Sequence, residues 1–271
     1  MKKPLAAFLA AAAFARGGTP QTADLEFPAA HDVWHYFNAF NAATRELAPP
    51  FLLPQSFSGG DRRDATVALV FDIEAPTGFP ANFRVTQARL RVWDIRFAQW
   101  TTGGTNEYGG PRRIELFAAG FGPAYSEATW DGTQPFIGGN NDSSFPRDPF
   151  PRDLATDANV QNEVLSYAPW AIGAPVGYAP GAMTQAFPID FTLDVADPTI
   201  QQELRDDLAS GFSSWIVSST FVADFMGLPG TIPNVVMAEG IGSHPPATAP
   251  TLFLTIEEVT AASATSWFYY E

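Results

Sequence analysis

The chain has 271 residues, a formal net charge of −14 at pH 7 and no cysteine. The absence of cysteine excludes thiol catalysis, cysteine-ligated zinc and iron–sulfur clusters. Lys2 and Lys3 are the only lysines, and a chain this acidic is expected to repel nucleic acid and anionic lipid.

The N-terminal segment has the features of a secretory signal peptide. Lys2 and Lys3 precede the short apolar run Leu5–Phe14, with small residues at Ala13 and Ala15. We predict that residues 1–15 are removed on export, and that the mature protein is secreted, extracellular or at the cell surface. No later apolar run approaches the ~20 residues of a membrane span, so no transmembrane segment is expected after cleavage.

Alternation of apolar and polar residues is the main signal in the rest of the chain. In "VTQARLRVW", Leu90 and Val92 fall on one face, and Arg89, Arg91 and Trp93 fall on the other. Similar runs occur in "ATVALVFDI", "IELFAAGF", "FTLDV", "SSWIVSSTF" and "TLFLTIEEV", separated by clusters of Pro, Gly, Asn and Asp. The pattern predicts an all-β fold, a jelly-roll-like antiparallel β-sandwich with one short helix and long loops.

The lengths of these runs and connections suggest one sandwich domain over residues 61–258. Residues 16–60 are expected to form an N-terminal extension that packs on the sandwich, and residues 259–271 a C-terminal tail. Residues 138–186 are expected to form a long loop insertion. Loops of this length in a compact domain usually carry function or cover the edge of a sheet.

One short helix is predicted in "DPTIQQELRDDLASG". Asp197 is a candidate N-cap, Pro198 is suited to the first helical position, and Gly211 is a stop signal. Apolar residues recur on one helical face at Ile200, Leu204 and Leu208.

Several of these segments together resemble one known family. "DRRDATVALVFDIEAPTGFPANFRVTQARLRVW", "YSEATW", "IDFTLDVADPTIQQELRDDLASGFSSWIVSS" and "AEGIGSHPPATAPTLFLTI" are similar, in order, to segments of the DNRLRE-type secreted β-sandwich domains. The resemblance covers roughly Asp61 to Ile256. It implies a jelly-roll-like sandwich like that of bacterial carbohydrate-binding modules, export, and an extracellular or cell-surface role. Some jelly rolls of this kind bind polysaccharide and others are spacers in surface proteins.

Aromatic side chains are the first candidates for a binding site, because flat rings stack on sugar rings and nearby polar groups bond the hydroxyls. An outward-facing Trp93 is either such a platform or is covered by another segment. The candidate carbohydrate-binding residues are Trp93, Trp100, Tyr108 and Trp130.

Calcium is the only cofactor that the sequence suggests. The stretch "GGNNDSS" offers carboxylate, amide and backbone oxygens, which are the ligands that Ca²⁺ prefers. A structural calcium site is therefore one reading of Asn140, Asn141 and Asp142, and a solvated turn is the other.

Catalytic patterns are weak throughout the chain. On a helix His31 and His35 would face the same way and could bind zinc, but the position of the usual glutamate base is held by Asp32 and no third ligand is evident. Glu127 lies near Asp131 in the sequence, yet nothing fixes a pair of carboxyls at a glycosidase spacing. We therefore expect a secreted, non-catalytic module that binds polysaccharide or another cell-surface component. The alternatives are a structural surface protein without a small ligand and, third, a glycoside hydrolase or lyase.

Overall fold

The computed structural model describes residues 19–35, 45–51, 65–95, 112–119, 151–157, 168–177, 185–221 and 232–260. Within these residues the protein is an antiparallel β-structure whose strands form one continuous, curled sheet, with a single α-helix. The prediction of an all-β, sandwich-like fold with one short helix is confirmed. It is convenient to divide the curled sheet into two halves, called sheet A and sheet B.

Sheet A contains the longest described strand, β5, and has the order β1-β12-β5-β9. Their bounds are Thr22–Pro28 for β1, Thr251–Glu258 for β12, Phe83–Asp94 for β5 and Phe187–Thr192 for β9. Two short strands, β3 (Leu47–Ala48) and β11 (Val235–Val236), continue the sheet from the C-terminal end of β5.

Sheet B has the order β2-β4-β10-β6. Its strands are β2 (His31–His35), β4 (Thr66–Asp72), β10 (Phe212–Ser219) and β6 (Ile114–Ala119), with the two-residue β7 (Pro151–Arg152) paired to β6. Because His31 and His35 lie on a strand, their Cα atoms are about 13 Å apart instead of the ~6 Å of a helix. The helical zinc-site alternative for these two histidines is therefore wrong.

Among the described residues, two crossings connect sheet A to sheet B. Strand β8 (Ala171–Pro175) pairs with β6 through its first two residues and with β9 through Gly173 and the residues after it. A Cβ at Gly173 would lie 2.8 Å from Ile189 Cγ2, so the crossing needs a residue without a side chain. On the opposite side, β1 continues into β2 after two residues. The Ala29 N–H donates to the Pro250 carbonyl, and the Ala30 N–H donates to the Val70 carbonyl of β4.

Two segments that the sequence suggested were peripheral contain strands of the sheets. Residues 16–60, expected to be an extension packed on the sandwich, contribute β1, β2 and β3 to the sheets. Residues 138–186, expected to be a loop insertion, contribute β7 and β8. Both segments therefore supply backbone hydrogen bonds at the junctions of the two sheets.

Helix α1 (Pro198–Ser210) forms as its sequence predicts. The Asp197 carboxylate accepts hydrogen bonds from the backbone N–H groups of Thr199 and Ile200, and Gly211 ends the helix at φ 83°. Ile200, Leu204 and Leu208 are buried in the core between the sheets. Among the described residues, no helix has the length and apolar character to cross a lipid bilayer.

Helix α1 also bonds to the edge of sheet A. The Gln201 amide accepts from Val85 N–H at 2.7 Å and donates to Val85 C=O at 2.8 Å. Strand β9 pairs with β5 only from Arg89 onward, so β9 does not reach the N-terminal end of β5, where Val85 lies. The Gln201 side chain takes the place of that strand, because it satisfies both polar groups of Val85.

Candidate functional site

The outer face of sheet A is the accessible sheet face of the described structure. Its strands alternate buried and more exposed residues, as in β5 and β9. In sheet B, by contrast, all of β6 and nearly all of β4 are buried, including residues of both faces such as Ala68 and Leu69. Since successive side chains of a strand point to opposite faces, sheet B is covered on both faces and sheet A on one.

A groove of about 830 Å³ lies on this open face. It crosses four strands, from Asp24 on β1 to Thr192 on β9 and the following Asp194. Between these ends the groove is lined by side chains of β5 and β12: Gln87, Arg89, Phe253 and Thr255. Hydrogen-bonded strands are about 4.8 Å apart, so the groove extends roughly 14 Å across the sheet.

A β-bulge shapes the middle of the groove. Gln87 pairs with Thr255 and Val85 pairs with Ile256, so Thr86 is an additional residue in β5. The Thr86 hydroxyl donates to Thr255 C=O at 3.2 Å, while the Gln87 side chain is exposed. Bulges change the direction of nearby side chains, and this one places Thr86 and Gln87 next to each other in the groove lining.

Arg89, which lines the groove, and Arg91, which lies beside it, share the carboxylate of Asp190. Arg91 binds both oxygens of Asp190, at 2.6 and 2.8 Å, and Arg89 binds Asp190 Oδ2 at 2.8 Å. Burial alone would raise the pKa of the Asp190 carboxyl, but the hydrogen bonds from Arg91 and Arg89 outweigh it and hold this pKa below its usual range. The group is therefore a fixed, ionised triad at neutral pH.

Aromatic and acidic side chains complete the site. The Arg89 guanidinium lies over the Phe253 ring, 4.3 Å from the ring centroid and within the roughly 6 Å of a cation–π contact. At the β1 end, Asp24 Oδ1 accepts a 2.7 Å hydrogen bond from the Thr255 hydroxyl. Phe253 is thus partly covered by Arg89, and Asp24 is held at the rim.

Trp93 lies on the same outer face of β5 but is not a groove residue. Its indole N–H donates to the Thr248 hydroxyl at 3.0 Å, and its ring packs near Val236 and Ala247. Trp93 is therefore partly covered by residues 232–250 and by Ala186, the last residue of the 138–186 segment. The other predicted site residues lie outside the described residues: Trp100, Tyr108, Trp130, Asn140, Asn141 and Asp142.

The other tryptophans of the described chain are structural. Trp34, Trp170 and Trp215 are buried, at 4%, 3% and 0% exposure. Their indole N–H groups donate to Pro49 C=O, Arg152 C=O and the Ser213 hydroxyl. These rings are satisfied core residues and are not available to stack on a ligand.

A second polar cluster lies where α1 meets β10. The Ser213 hydroxyl donates to Asp207 Oδ2 at 2.6 Å and accepts from the Trp215 indole at 2.7 Å. Burial raises the pKa of Asp207 to about 7, against the effect of the Ser213 hydrogen bond and with a further contribution from Glu203. Ser213 is fully buried, so its hydroxyl is not placed to attack a substrate.

Metal binding finds no support in the described part of the chain. No group of three or more His, Asp or Glu side chains there has a geometry that could hold a metal ion. The calcium prediction at residues 140–142 is not tested by this observation, because that loop lies outside the described residues.

The sequence did not single out Asp190, Phe253 or Asp207. Asp190 and Phe253 each sit between buried neighbours on a strand, which marks them as outward-facing, but only the strand register brings them to Arg89. The sequence could have indicated that Asp207 is buried, because it follows Ile200 by seven residues and therefore lies on nearly the same face of the helix.

Comparison with protein-family models and with curated proteins finds no match to this chain. The resemblance to DNRLRE-type domains therefore stays a prediction. The groove on sheet A, with its bulge, its Arg–Asp–Arg triad and its Phe253–Arg89 pair, is the feature from which a function is best inferred.

Proposed function

We propose that the outer face of sheet A is a non-catalytic binding site for polysaccharide, or for another hydroxyl-rich component of a cell surface. The groove of about 830 Å³ is the observation that carries this proposal. It is long and open across four strands, as a site for a chain-like ligand needs to be, and it combines an aromatic ring with several polar groups.

Free hydrogen-bonding groups in the groove support the proposal. Within the described contacts, the side chains of Gln87 and Thr192 have no hydrogen-bond partner, and both residues are exposed. An amide offers two donors and an acceptor, and a hydroxyl offers one donor and two acceptors. These groups match sugar hydroxyls, which also donate and accept.

The predicted export signal is consistent with this role. A protein released from the cell or held at its surface meets polysaccharide directly, and the acidic chain is expected to avoid nucleic acid and anionic lipid. The same predicted location suits a structural surface protein, so location alone does not separate the two functions.

A structural role without a small ligand is the second candidate. It is favoured by the burial of Trp34, Trp170 and Trp215, which leaves Phe253 as the aromatic ring in the described groove lining. Under this alternative the groove would be a surface feature, and substitutions in it would change neither binding nor assembly.

The test is a glycan and polysaccharide binding screen of the mature protein, with and without EDTA, followed by a double substitution, Gln87→Ala with Thr192→Ala. Two lost hydrogen bonds of about 1 kcal/mol each should weaken binding to any glycan found in the screen at least about tenfold. The matched control is Gln202→Ala with Thr22→Ala, which removes an exposed amide on α1 and an exposed hydroxyl at the end of β1.

The two candidate functions give different results in this experiment. Binding that weakens in the groove variant and is retained in the control supports the proposed site. The absence of binding to every glycan favours the structural role, and equal losses in both variants would place the site elsewhere.

A further inference from the structure

The two arginines of the candidate site already have a carboxylate partner within the protein. Asp190 receives three hydrogen bonds from Arg89 and Arg91, all between 2.6 and 2.8 Å, so both guanidiniums are directed toward a carboxylate of the protein. Acidic glycans are commonly bound by such fork-like arginine contacts to their carboxylate or sulfate groups. Here an acidic ligand would have to displace Asp190 first.

The rest of the site adds negative charge. Asp24 lines the groove at the β1 end and Asp194 lines it beyond β9. With Asp190 beside the groove, the site contains three carboxylates and the two guanidiniums of Arg89 and Arg91. The net charge of −14 on the whole chain points in the same direction.

We infer that the groove selects glycans without acidic groups and rejects uronate-bearing or sulfated glycans, with Asp190 as the residue that sets this selectivity. The inference rests on the proposed function and adds the class of ligand. Neutral hydroxyls bond to carboxylates such as Asp24 and to the free groups of Gln87 and Thr192. Two guanidiniums and three carboxylates leave these five groups with one net negative charge, so an acidic ligand gains no net attraction and must compete with Asp190 for both arginines.

Asp190 acts on selectivity by holding the two arginines. Replacing its carboxylate with an amide removes one negative charge and weakens the hydrogen bonds from both guanidiniums. Arg89 and Arg91 then become available to a ligand carboxylate on the same sheet face. A residue with only a structural role would change stability without changing the preference between neutral and acidic ligands.

The experiment measures binding of the mature protein to two panels at low ionic strength. The neutral panel contains glucan, mannan and galactan, and the acidic panel contains polygalacturonate and alginate. The readout is the ratio of acidic to neutral affinity for the wild type, Asp190→Asn, Asp24→Asn and the control Asp72→Asn. Asp72 is an exposed acid at the end of β4 in the other sheet. Thermal melting confirms that each variant is folded.

The wild type should bind the neutral panel and bind the acidic panel at least about tenfold more weakly. Asp190→Asn should raise the acidic-to-neutral ratio about tenfold or more, because one freed charge-assisted hydrogen bond is worth about 1.5–3 kcal/mol. Asp24→Asn should raise it less, and Asp72→Asn should leave it unchanged. Added salt should reduce the difference, since it screens the repulsion between exposed charges.

The outcomes separate this inference from the proposed function. If the wild type binds neither panel, the proposed function fails and the inference fails with it. If the wild type binds acidic glycans as tightly as neutral ones, the selectivity is overturned while a glycan-binding function stands. If neither folded variant at position 190 or 24 raises the ratio, these carboxylates do not set the selectivity.

Discussion

Asp207 is a carboxylate on the side of α1 that faces the protein interior. Its neighbours on that side, Ile200 and Leu204, are buried at 1% and 0% exposure. The carboxylate accepts a hydrogen bond from the buried Ser213 hydroxyl, which in turn accepts from Trp215. Burial raises the pKa of Asp207 to about 7, and nearby Glu203 adds to the effect.

This raised pKa predicts that Asp207 weakens the fold as the pH increases. The folded state holds the proton more tightly than the unfolded chain, whose Asp pKa is about 3.9. The stability that Asp207 contributes is therefore fully present below about pH 4 and is lost as the pH rises to about 7. Above that pH the folded protein contains a costly ionised carboxylate.

Asp207→Asn should keep the hydrogen bond from Ser213 and remove the charge. We expect the variant to come closest to the wild type at pH 4 and to gain about 4 kcal/mol relative to it by pH 8, because the folded and unfolded pKa values of Asp207 differ by about three units. Chemical denaturation at the two pH values measures the difference. An equal difference at both would contradict the raised pKa, and Asp72→Asn, at an exposed carboxylate at the end of β4, is the control.

At the scale of elements, the segment 232–240 is attached to both sheets by buried carboxylates. Asp32 on β2 accepts from Ala238 N–H and Asp94 on β5 accepts from Asn234 N–H, each at 2.8 Å. Both aspartates are buried, at 1% and 0% exposure. The segment also carries β11, and Val236 within it packs near Trp93.

Gly240 is the tightest point of this attachment. A Cβ there would overlap the backbone carbonyl of Glu46, whereas a Cβ at Gly242 would meet nothing within 4 Å. We expect Gly240→Ala to lower the free energy of unfolding by about 2 kcal/mol or more, since backbone must move to admit the methyl group. Gly242→Ala should be close to neutral.

Denaturant unfolding of the two glycine variants, followed by tryptophan fluorescence, measures this difference. If Gly240→Ala and Gly242→Ala have the same stability, the close contact between residues 240 and 46 does not exist in solution.

At the scale of the whole molecule, the two sheets differ in exposure but share their edges. Strand β8 pairs with both sheets, and β1 continues into β2 from one sheet to the other. The core between them is continuous, with Leu254 and Phe191 of sheet A in the same cluster as Trp215 of sheet B. If one sheet unfolded, the apolar inner face of the other sheet would be exposed to water.

We therefore expect the two sheets to unfold in one cooperative transition. Far-ultraviolet circular dichroism follows the strands, and tryptophan fluorescence follows Trp170 and Trp215 in the core. In urea the two signals should give the same midpoint, as they do for a two-state protein. Separate midpoints would mean that one sheet is stable without the other.

The sequence predicted the features that depend on neighbours in the chain. The cap at Asp197, the stop at Gly211 and the buried face of α1 follow from local hydrogen bonding and helical spacing. The inward positions of Leu90 and Val92 on β5 follow from the two-residue repeat of a strand. These features need no knowledge of which strand lies beside which.

The site could not be predicted in the same way, because its residues meet through strand pairing. Asp190 joins Arg89 and Arg91 across about a hundred residues of chain, and Phe253 reaches Arg89 from the last strand. Trp93 was recognised as outward-facing, but its cover by residues 232–250 depends on where that segment returns. The partner of Asp207 likewise comes from β10.

By itself, then, the sequence determined that this protein is an all-β chain with one capped helix, because repeats of two and 3.6 residues and cap residues act over a few positions. Only the tertiary structure decided that one sheet is covered on both faces and the other carries an open groove. The physical reason is that register, crossings such as β8, and the pairing of Arg89 and Arg91 with Asp190 arise from contacts between residues far apart in the chain.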